Sequence, residues 1–327
     1  MITSVLRLQS FAKSIRCSVN SMKDAHFLSY DAQIAHLREK GLMIRDEAYA
    51  RDVLEAIGYY EPINGYKRLF KDTNNGPFRT GVCFEDILAL YKCDENLRQL
   101  CFKYILRIEI RMRALLSYAF CERYGEQQQA YLSLSNYDSE GYGAREARRL
   151  IGELDYAANR ADKAVYVCHY RSRYGNVPLW VLFKTLSLGT LVRFFRCCTP
   201  EIRCAVSKTF PGLREDTLGK MLDLMQDFRN VCAHNDRLYS FRSEDSIPRM
   251  PAVRALGIPA PDEEYAGNDL FALYCVFCYL LCPGDFSRAK SSTDKILDAF
   301  FSQCASVERQ TFLDAMGFPQ EWSRLAL

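Results

Sequence analysis

Arg229 and His234 are separated by four residues within the stretch QDFRNVCAHNDRLYS; the histidine suits proton transfer and the arginine suits binding of a phosphate. Cleavage of RNA through its own 2'-hydroxyl needs a base for that hydroxyl, an acid for the leaving 5'-oxygen and a cation for the phosphate charge. Histidine transfers protons near neutral pH, and arginine is a permanent bidentate phosphate ligand. The pair predicts a metal-free nucleolytic centre. The alternative is an ordinary helix end, where the histidine faces the helix dipole and the arginine packs along an apolar edge.

The apolar residues before this pair follow a helical period, and they predict a helix with the buried stripe Leu218, Met221, Leu222, Met225, Phe228 and Cys232. The opposite face is predicted to carry Asp223, Asp227, Asn230, His234 and Arg237. On an ideal helix Arg229 and His234 lie about 140° apart, so their tips converge only if the helix ends near His234 or a second helix shares the site. Asn230 is a candidate partner for phosphate or for His234, and Arg237 is a candidate second cation; capping and solvation of the helix are the alternatives.

Two further groups of cations are candidates for RNA binding. Lys103, Arg107 and Arg111 recur every four residues and predict a basic strip, with a solvated face of ordinary salt bridges as the alternative. Lys67 and Arg68 follow a run of tyrosines that suits stacking on unpaired bases, although core packing is expected for at least two of Tyr59, Tyr60 and Tyr66.

Composition excludes several classes of protein. The 327 residues are 49% hydrophobic and 25% charged, which fits one or two globular domains, and the net charge of +3 neither favours nor excludes RNA. The 14 cysteines are scattered, which predicts a reducing, cytoplasmic location rather than a disulfide framework. Cys275, Cys278 and Cys282 are interpreted as part of a buried helix that is too short to span a membrane, and no motif implies a metal or another cofactor.

A helical period dominates the chain and predicts an all-α fold. One helix is expected to end at Gly58, and either one long helix or two helices joined near Asp94 are expected from Phe84 to Phe120. Further helical segments are predicted from Glu140 to His169 and from Pro178 onward. Residues 241–268 contain Pro248, Pro251, Pro259 and Pro261, and they are predicted to form a long loop that either frames the site or has no role.

Four regions are predicted from these patterns. Residues 1–25 form a basic leader that is expected to be poorly ordered, and residues 26–80 form an N-terminal helical region. Residues 81–285 form a helical core that includes the loop at 241–268, and residues 286–327 form a C-terminal helical extension.

Five blocks of sequence carry a resemblance to a known family. They are QIAHLREKGLMI (33–44), LEAIGYYEPINGY (54–66), FEDILALYKCDENLRQLCFKYILRIEIRMRALLSY (84–118), VPLWVLFKTLSLGTL (177–191) and FRNVCAHNDRL (228–238). With these blocks the chain resembles the Abi-like proteins of bacterial abortive infection systems, whose core belongs to the HEPN superfamily of all-helical, mostly RNA-directed domains. Glu61-Pro62 stands where we expect an arginine and an aliphatic residue, and Asn235 where many relatives have a second histidine.

The resemblance implies an all-α, HEPN-like helical bundle with an additional N-terminal helical region. It also implies an anti-phage abortive infection protein that is a metal-independent endoribonuclease. Its expected partners are RNA, a second copy facing it through the Arg229 and His234 helix, and an RNA or protein antitoxin, with no membrane. The helix of Glu109 is expected to pack beside that helix, which would place Glu109 against Arg229 or His234 as an orienting carboxylate. The alternatives are an RNA-binding protein that does not cleave, or a dimeric protein-interaction or sensor module.

Overall fold

The computed structural model describes residues 27–138, 143–160, 164–257 and 265–327, and within these ranges the regular secondary structure is almost entirely helical. The α-helices are α1 (Tyr30–Glu39), α2 (Glu47–Ile57), α3 (Phe84–Tyr124), α4 (Gln128–Leu132), α5 (Ala144–Asn159), α6 (Val165–Tyr174), α7 (Leu179–Leu182), α8 (Leu188–Cys197), α9 (Pro200–Ser207), α10 (Glu215–Ala233), α11 (Pro251–Arg254), α12 (Leu270–Leu280), α13 (Pro283–Gln303) and α14 (Arg309–Met316). The all-α prediction is confirmed. The predicted leader at 1–25 lies outside the described residues.

The central element is α3, a single helix of 41 residues. It forms without a break because the sequence from Phe84 to Tyr124 contains neither glycine nor proline. The amide of Cys83 donates to the Asp86 carboxylate at 2.9 Å and caps its start, while Gly125, with φ of 89°, ends it. Of the two sequence alternatives for this region, the structure shows one long helix.

Helices from the second half of the chain pack around α3. They include α7, α8, α9, α10 and α13, and α10 also contacts α8 and α12 on its other sides. The predicted stripe of α10 is buried, except that Cys232 is only partly so. Leu224 is buried as well, because α8 covers a second face of α10.

The polar face predicted for α10 is therefore largely occupied by other parts of the chain. Asp223 forms an ion pair with Arg196 of α8, and Arg196 Nε lies 3.2 Å from Asp223 Oδ1. Asp227 accepts a hydrogen bond of 2.6 Å from the hydroxyl of Ser243. Of the predicted polar face, the residues at the end of α10 have no such partners on other helices of the described ranges.

The N-terminal region reaches α3 through a tight turn. Helices α1 and α2 pack against each other. As predicted, α2 ends at Gly58, whose φ of 74° lies in a region that glycine adopts readily. A π-helical turn (Tyr60–Asn64) and a 3-10 helix (Lys67–Phe70) follow, and the π-helical turn contacts α3.

Two predictions about local structure need correction. Residues 241–268 are not a continuous loop, because they contain α11 and a two-stranded antiparallel ribbon of β1 (Ile247–Pro248) and β2 (Tyr265–Gly267); residues 258–264 lie outside the described residues. The helix predicted from Pro178 is divided into α7, a 3-10 turn (Phe183–Thr185) and α8. The helical region predicted from Glu140 to His169 contains the separate helices α5 and α6, with residues 139–142 and 161–163 outside the described ranges.

The apolar helix α12 lies in the core. All of its residues are buried, including Cys275 and Cys278, whereas Cys282 follows the helix and is exposed. The prediction of a buried core helix is confirmed for Cys275 and Cys278 and is wrong for Cys282, because the helix ends at Leu280. None of the described helices is both long and apolar enough to cross a bilayer.

Candidate functional site

His234 lies at the C-terminal end of α10. Its amide donates to the carbonyl of Asn230 at 2.9 Å, and the amide of Asp236 donates to the carbonyl of Val231 at 3.0 Å. Between them Asn235 has a φ of 59°, in the left-handed region that asparagine tolerates better than most residues. This is the Schellman end of a helix, so the residue at 235 has a backbone role: it turns the chain just after His234.

The candidate side chains differ in exposure. His234 and Arg237 are exposed, whereas Arg229 and Asn230 are partly buried. Within the described ranges no hydrogen bond joins Arg229 to His234, and Arg229 Nε is buried without a hydrogen-bond partner. The helix does end beside His234, which is one of the two conditions for the two tips to converge. The exposed imidazole at this position is accessible from solvent.

A buried polar cluster holds the chain that follows His234. It consists of Tyr66, Asp94 and Arg98, and it is called the Asp94 cluster below. Asp94 is fully buried, and its carboxylate accepts from the Tyr66 hydroxyl at 2.7 Å and from Arg98 Nη1 at 2.6 Å. The same carboxylate accepts from the amides of Leu238 at 2.9 Å and Tyr239 at 2.6 Å. Three distant parts of the chain therefore meet at one carboxylate.

The ionisation of the Asp94 cluster follows from these contacts. Burial raises the pKa of Asp94, and the donated hydrogen bonds and the Arg98 charge oppose that shift. Because four donors converge on the carboxylate, the ionised form is the one that satisfies them. Burial, together with the Asp94 charge, raises the pKa of Tyr66, so its hydroxyl remains a neutral donor. Arg98 Nη1 also donates to the Tyr66 hydroxyl at 2.9 Å.

The sequence prediction missed the Asp94 cluster, although a signal for it exists. Asp94 and Arg98 are four residues apart, and both occupy positions on the buried side of α3, between Leu90, Leu97 and Cys101. Charged residues at core positions of a helical period indicate a buried pair, since a lone buried charge is strongly unfavourable.

The predicted cations near the turn at residues 60–67 make separate contacts, and the tyrosines there differ in exposure. Arg237 Nη1 donates to the carbonyl of Gly65 at 2.6 Å, so the residue after the site contacts the N-terminal region. Lys67 Nζ donates to Asn64 Oδ1 at 2.5 Å, and the exposed Arg68 has a long contact of 3.5 Å to the carbonyl of Lys71. Tyr66 is buried, Tyr59 is partly buried and Tyr60 is 77% exposed, in agreement with core packing for two of the three.

Glu109 lies on α3, and α3 packs against α10. Its side chain is buried, and Oε1 accepts from Arg113 Nη2 at 2.5 Å, which is the helical pair that the spacing favours. Arg113 also donates to the carbonyl of Leu186 at 2.9 Å. Glu109 Oε2 is buried without a partner, and among the described residues Glu109 makes no hydrogen bond to Arg229 or His234.

Two of the three residues of the basic strip on α3 contact other parts of the chain. Arg107 forms an ion pair with Asp285 of α13, and Arg111 donates to the carbonyl of Leu280 at 2.9 Å. Lys103 is exposed. Arg107 and Arg111 line a cleft of about 460 Å³ that includes neither Arg229 nor His234. In the described residues no hydrogen bond joins Arg107 or Arg111 to Arg229 or His234.

The described ranges contain no group of three or more histidine, cysteine, aspartate or glutamate side chains arranged to hold a metal ion.

Comparison with known proteins gave one match. The family model described as Abi-like protein matches residues 52–240, which is more than half of the chain and includes α3, α10 and the Asp94 cluster. No curated protein and no solved structure matches the chain. The chain therefore belongs to the Abi-like protein family.

Proposed function

We propose that the chain is an abortive infection protein of the HEPN type, which cuts RNA through its 2'-hydroxyl without a metal. The observation that carries this proposal is the exposed His234 at the end of α10, with Arg229 on the preceding turns, inside the segment that matches the Abi-like family. His234 would transfer the proton, and Arg229 would bind the phosphate as its charge develops.

A second copy of the chain completes this proposed chemistry. One histidine cannot act as base and acid at the same moment, and Arg229 and His234 share no hydrogen bond in the described structure. A homodimer through the ends of two α10 helices would supply two histidines and two arginines to one phosphate. The helix end has room for such a contact, because Ala233 and His234 are exposed.

Supporting roles fall to residues around the same helix end. Asn230 is one turn before His234 and has a partly buried side chain, so it is proposed to contact the phosphate or the imidazole. Arg237 uses one donor on Gly65, and a guanidinium has five. Its remaining donors are proposed to bind the RNA backbone.

Glu109 is proposed to orient Arg229. Glu109 Oε2 and Arg229 Nε are both buried polar atoms without partners, and they belong to helices that pack against each other. A buried unpaired atom of this kind is costly, so a rotation of Arg229 that joined the two would be favourable.

Two clusters of cations are proposed to bind RNA away from the cleaved bond. Lys103 and Arg107 are exposed on α3, with Arg111 beside them. Lys67 and Arg68 lie on the 3-10 helix that contacts the π-helical turn of the exposed Tyr60. Unpaired bases commonly stack on aromatic rings beside a cation, and Tyr60 with Arg68 is proposed to bind RNA in this way.

The test compares the wild-type protein with His234→Ala and Arg229→Ala on total bacterial RNA in the presence of EDTA. His169→Ala is the matched control for the first variant, because His169 is also exposed, and Lys220→Ala on the exposed side of α10 is the control for the second. We expect cleavage with 2',3'-cyclic phosphate ends by the wild type and both controls. Loss of His234 is expected to slow cleavage by about 10²- to 10⁴-fold.

Two results would contradict the nuclease. The first is cleavage by His234→Ala at the rate of His169→Ala, and the second is the absence of cleavage by the wild type. Retention of RNA by a wild type that does not cut would support RNA binding without cleavage instead. Protection of bacteria from phage by both His234→Ala and Arg229→Ala would support an interaction module.

A further inference from the structure

The short connection between α10 and the next buried residue is held at both ends. On one side the Schellman hydrogen bonds close α10 at His234. On the other side Asp94 accepts from the amides of Leu238 and Tyr239. Residues 234–237 connect these two points, and Arg98 Nη1 also approaches the carbonyl of Asp236 at 3.4 Å.

His234 depends on this connection for its position. Its side chain is exposed and has no hydrogen-bond partner among the described residues, so no neighbouring side chain orients the imidazole. The backbone of residues 234–237 therefore determines where the imidazole lies. That backbone is set by α10 on one side and by the Asp94 carboxylate on the other.

We propose that the Asp94 cluster positions His234, with Asp94 as the positioning residue and Tyr66 and Arg98 as the groups that hold its carboxylate in place. The catalytic value of this position rests on the proposed ribonuclease function. The position itself does not, because it follows from hydrogen bonds that exist whether or not RNA is cut.

The composition of the cluster favours positioning over stability alone. A buried ion pair is weak evidence for stability, since apolar residues of the same volume often stabilise a core equally well. An apolar group at residue 94 would leave the amides of Leu238 and Tyr239 without an acceptor. Only an acceptor that is itself fixed can hold this backbone, and Tyr66 and Arg98 fix it from two directions.

The test uses Tyr66→Phe, which removes the hydroxyl that donates to Asp94 and accepts from Arg98 while leaving the ring that stacks on Tyr239. The matched control is Tyr131→Phe. Tyr131 is as deeply buried, and its hydroxyl donates to the carbonyl of Val177 at 2.8 Å, outside the Asp94 cluster. Both variants lose a buried phenolic hydroxyl, but only one loses it beside the connection that carries His234.

Two readouts separate positioning from a general loss of stability. The first is the NMR signal of the His234 imidazole, which His234→Ala assigns among the four histidines of the chain. The second is hydrogen exchange at the Leu238 and Tyr239 amides. We expect Tyr66→Phe to shift the His234 signal and to speed exchange at both amides, and Tyr131→Phe to change neither. Asp94→Asn should change the His234 signal and the amide exchange in the same direction as Tyr66→Phe, but by a larger amount.

RNA cleavage adds a readout that depends on the proposed function. A displaced catalytic group lowers kcat with little change in KM, and a misplacement of about 1 Å can cost about 100-fold in rate. We expect this pattern for Tyr66→Phe and not for Tyr131→Phe. An unchanged His234 signal in both Tyr66→Phe and Asp94→Asn would overturn the positioning role. A shifted signal in a protein that does not cleave RNA would support that role and reject the ribonuclease.

Discussion

The Asp94 and Arg98 pair permits a quantitative test of how the interior of this protein is built. Their side chains are 0% and 3% exposed, and Asp94 Oδ2 lies 2.6 Å from Arg98 Nη1. Asp94→Asn leaves the Arg98 charge buried without its partner, and Arg98→Met leaves the Asp94 charge with three neutral donors. Breaking a buried pair from one side costs about 3 to 5 kcal/mol, so each variant should lose a large part of a total stability of about 5 to 15 kcal/mol.

The double variant Asp94→Asn with Arg98→Met removes both charges and leaves no uncompensated ion. We therefore expect it to lose less stability than the sum of the two single variants, by about 2 to 3 kcal/mol. The measurement is urea unfolding followed by circular dichroism, with the slope of the transition compared among the variants.

An exposed ion pair serves as the control cycle. Arg38 Nη1 lies 2.7 Å from Glu47 Oε2, and the two side chains are 47% and 49% exposed. The cycle of Arg38→Met and Glu47→Gln should give a coupling energy below about 1 kcal/mol, because water screens the pair. If the two cycles gave equal coupling energies, the reasoning about the buried cluster would be refuted.

Other consequences can be measured separately. Asn235→Gly should leave the free energy of unfolding nearly unchanged, whereas Asn235→Val should lower it by about 1 to 2 kcal/mol, because φ at this position is positive; equal chemical denaturation curves for the two would contradict this. Hydrogen bonds from Arg288 and Arg107 lower the pKa of Asp285 to about 2. The stabilisation from Asp285 is present above its ordinary pKa and is lost as the pH falls from about 4 through 2. The stability difference between wild type and Asp285→Asn should shrink over that range, and a constant difference across pH would argue against the ion pairs. Iodoacetamide should label the exposed Cys282 in the folded protein and leave Cys275 unlabelled, since burial raises the pKa of Cys275 well above its usual range. If α12 were on the surface, peptide mass spectrometry would find Cys275 labelled as well.

Much of the secondary structure could be predicted because its causes are local. A helical period of apolar residues marks α10, and the absence of glycine and proline allows α3 to run unbroken. Gly58 ends α2 where the sequence indicates it. The spacing of Arg229 and His234 is also a local property, so the candidate site could be named without coordinates, and its helix does end beside His234.

The surroundings of that site could not be predicted in the same way. Tyr66 is 28 residues from Asp94 in sequence, and Leu238 is 144 residues from it, so no local pattern links them. Arg107 has the spacing of a free basic strip, yet it pairs with Asp285, 178 residues away. These contacts exist only because the N-terminal π-helical turn, α10 and α13 dock on α3, and docking depends on the shapes of whole helix faces.

By itself, the sequence determined the all-α fold, the buried stripe of α10 and the end of α2 at Gly58, because backbone preference and apolar period act over a few residues. Only the tertiary structure decided which charged residues remain available at the surface and which ones meet in the interior. A buried charge must find its partner in space rather than in sequence, since an unpaired charge in the core is strongly unfavourable. That requirement brings Asp94 to the chain that follows His234.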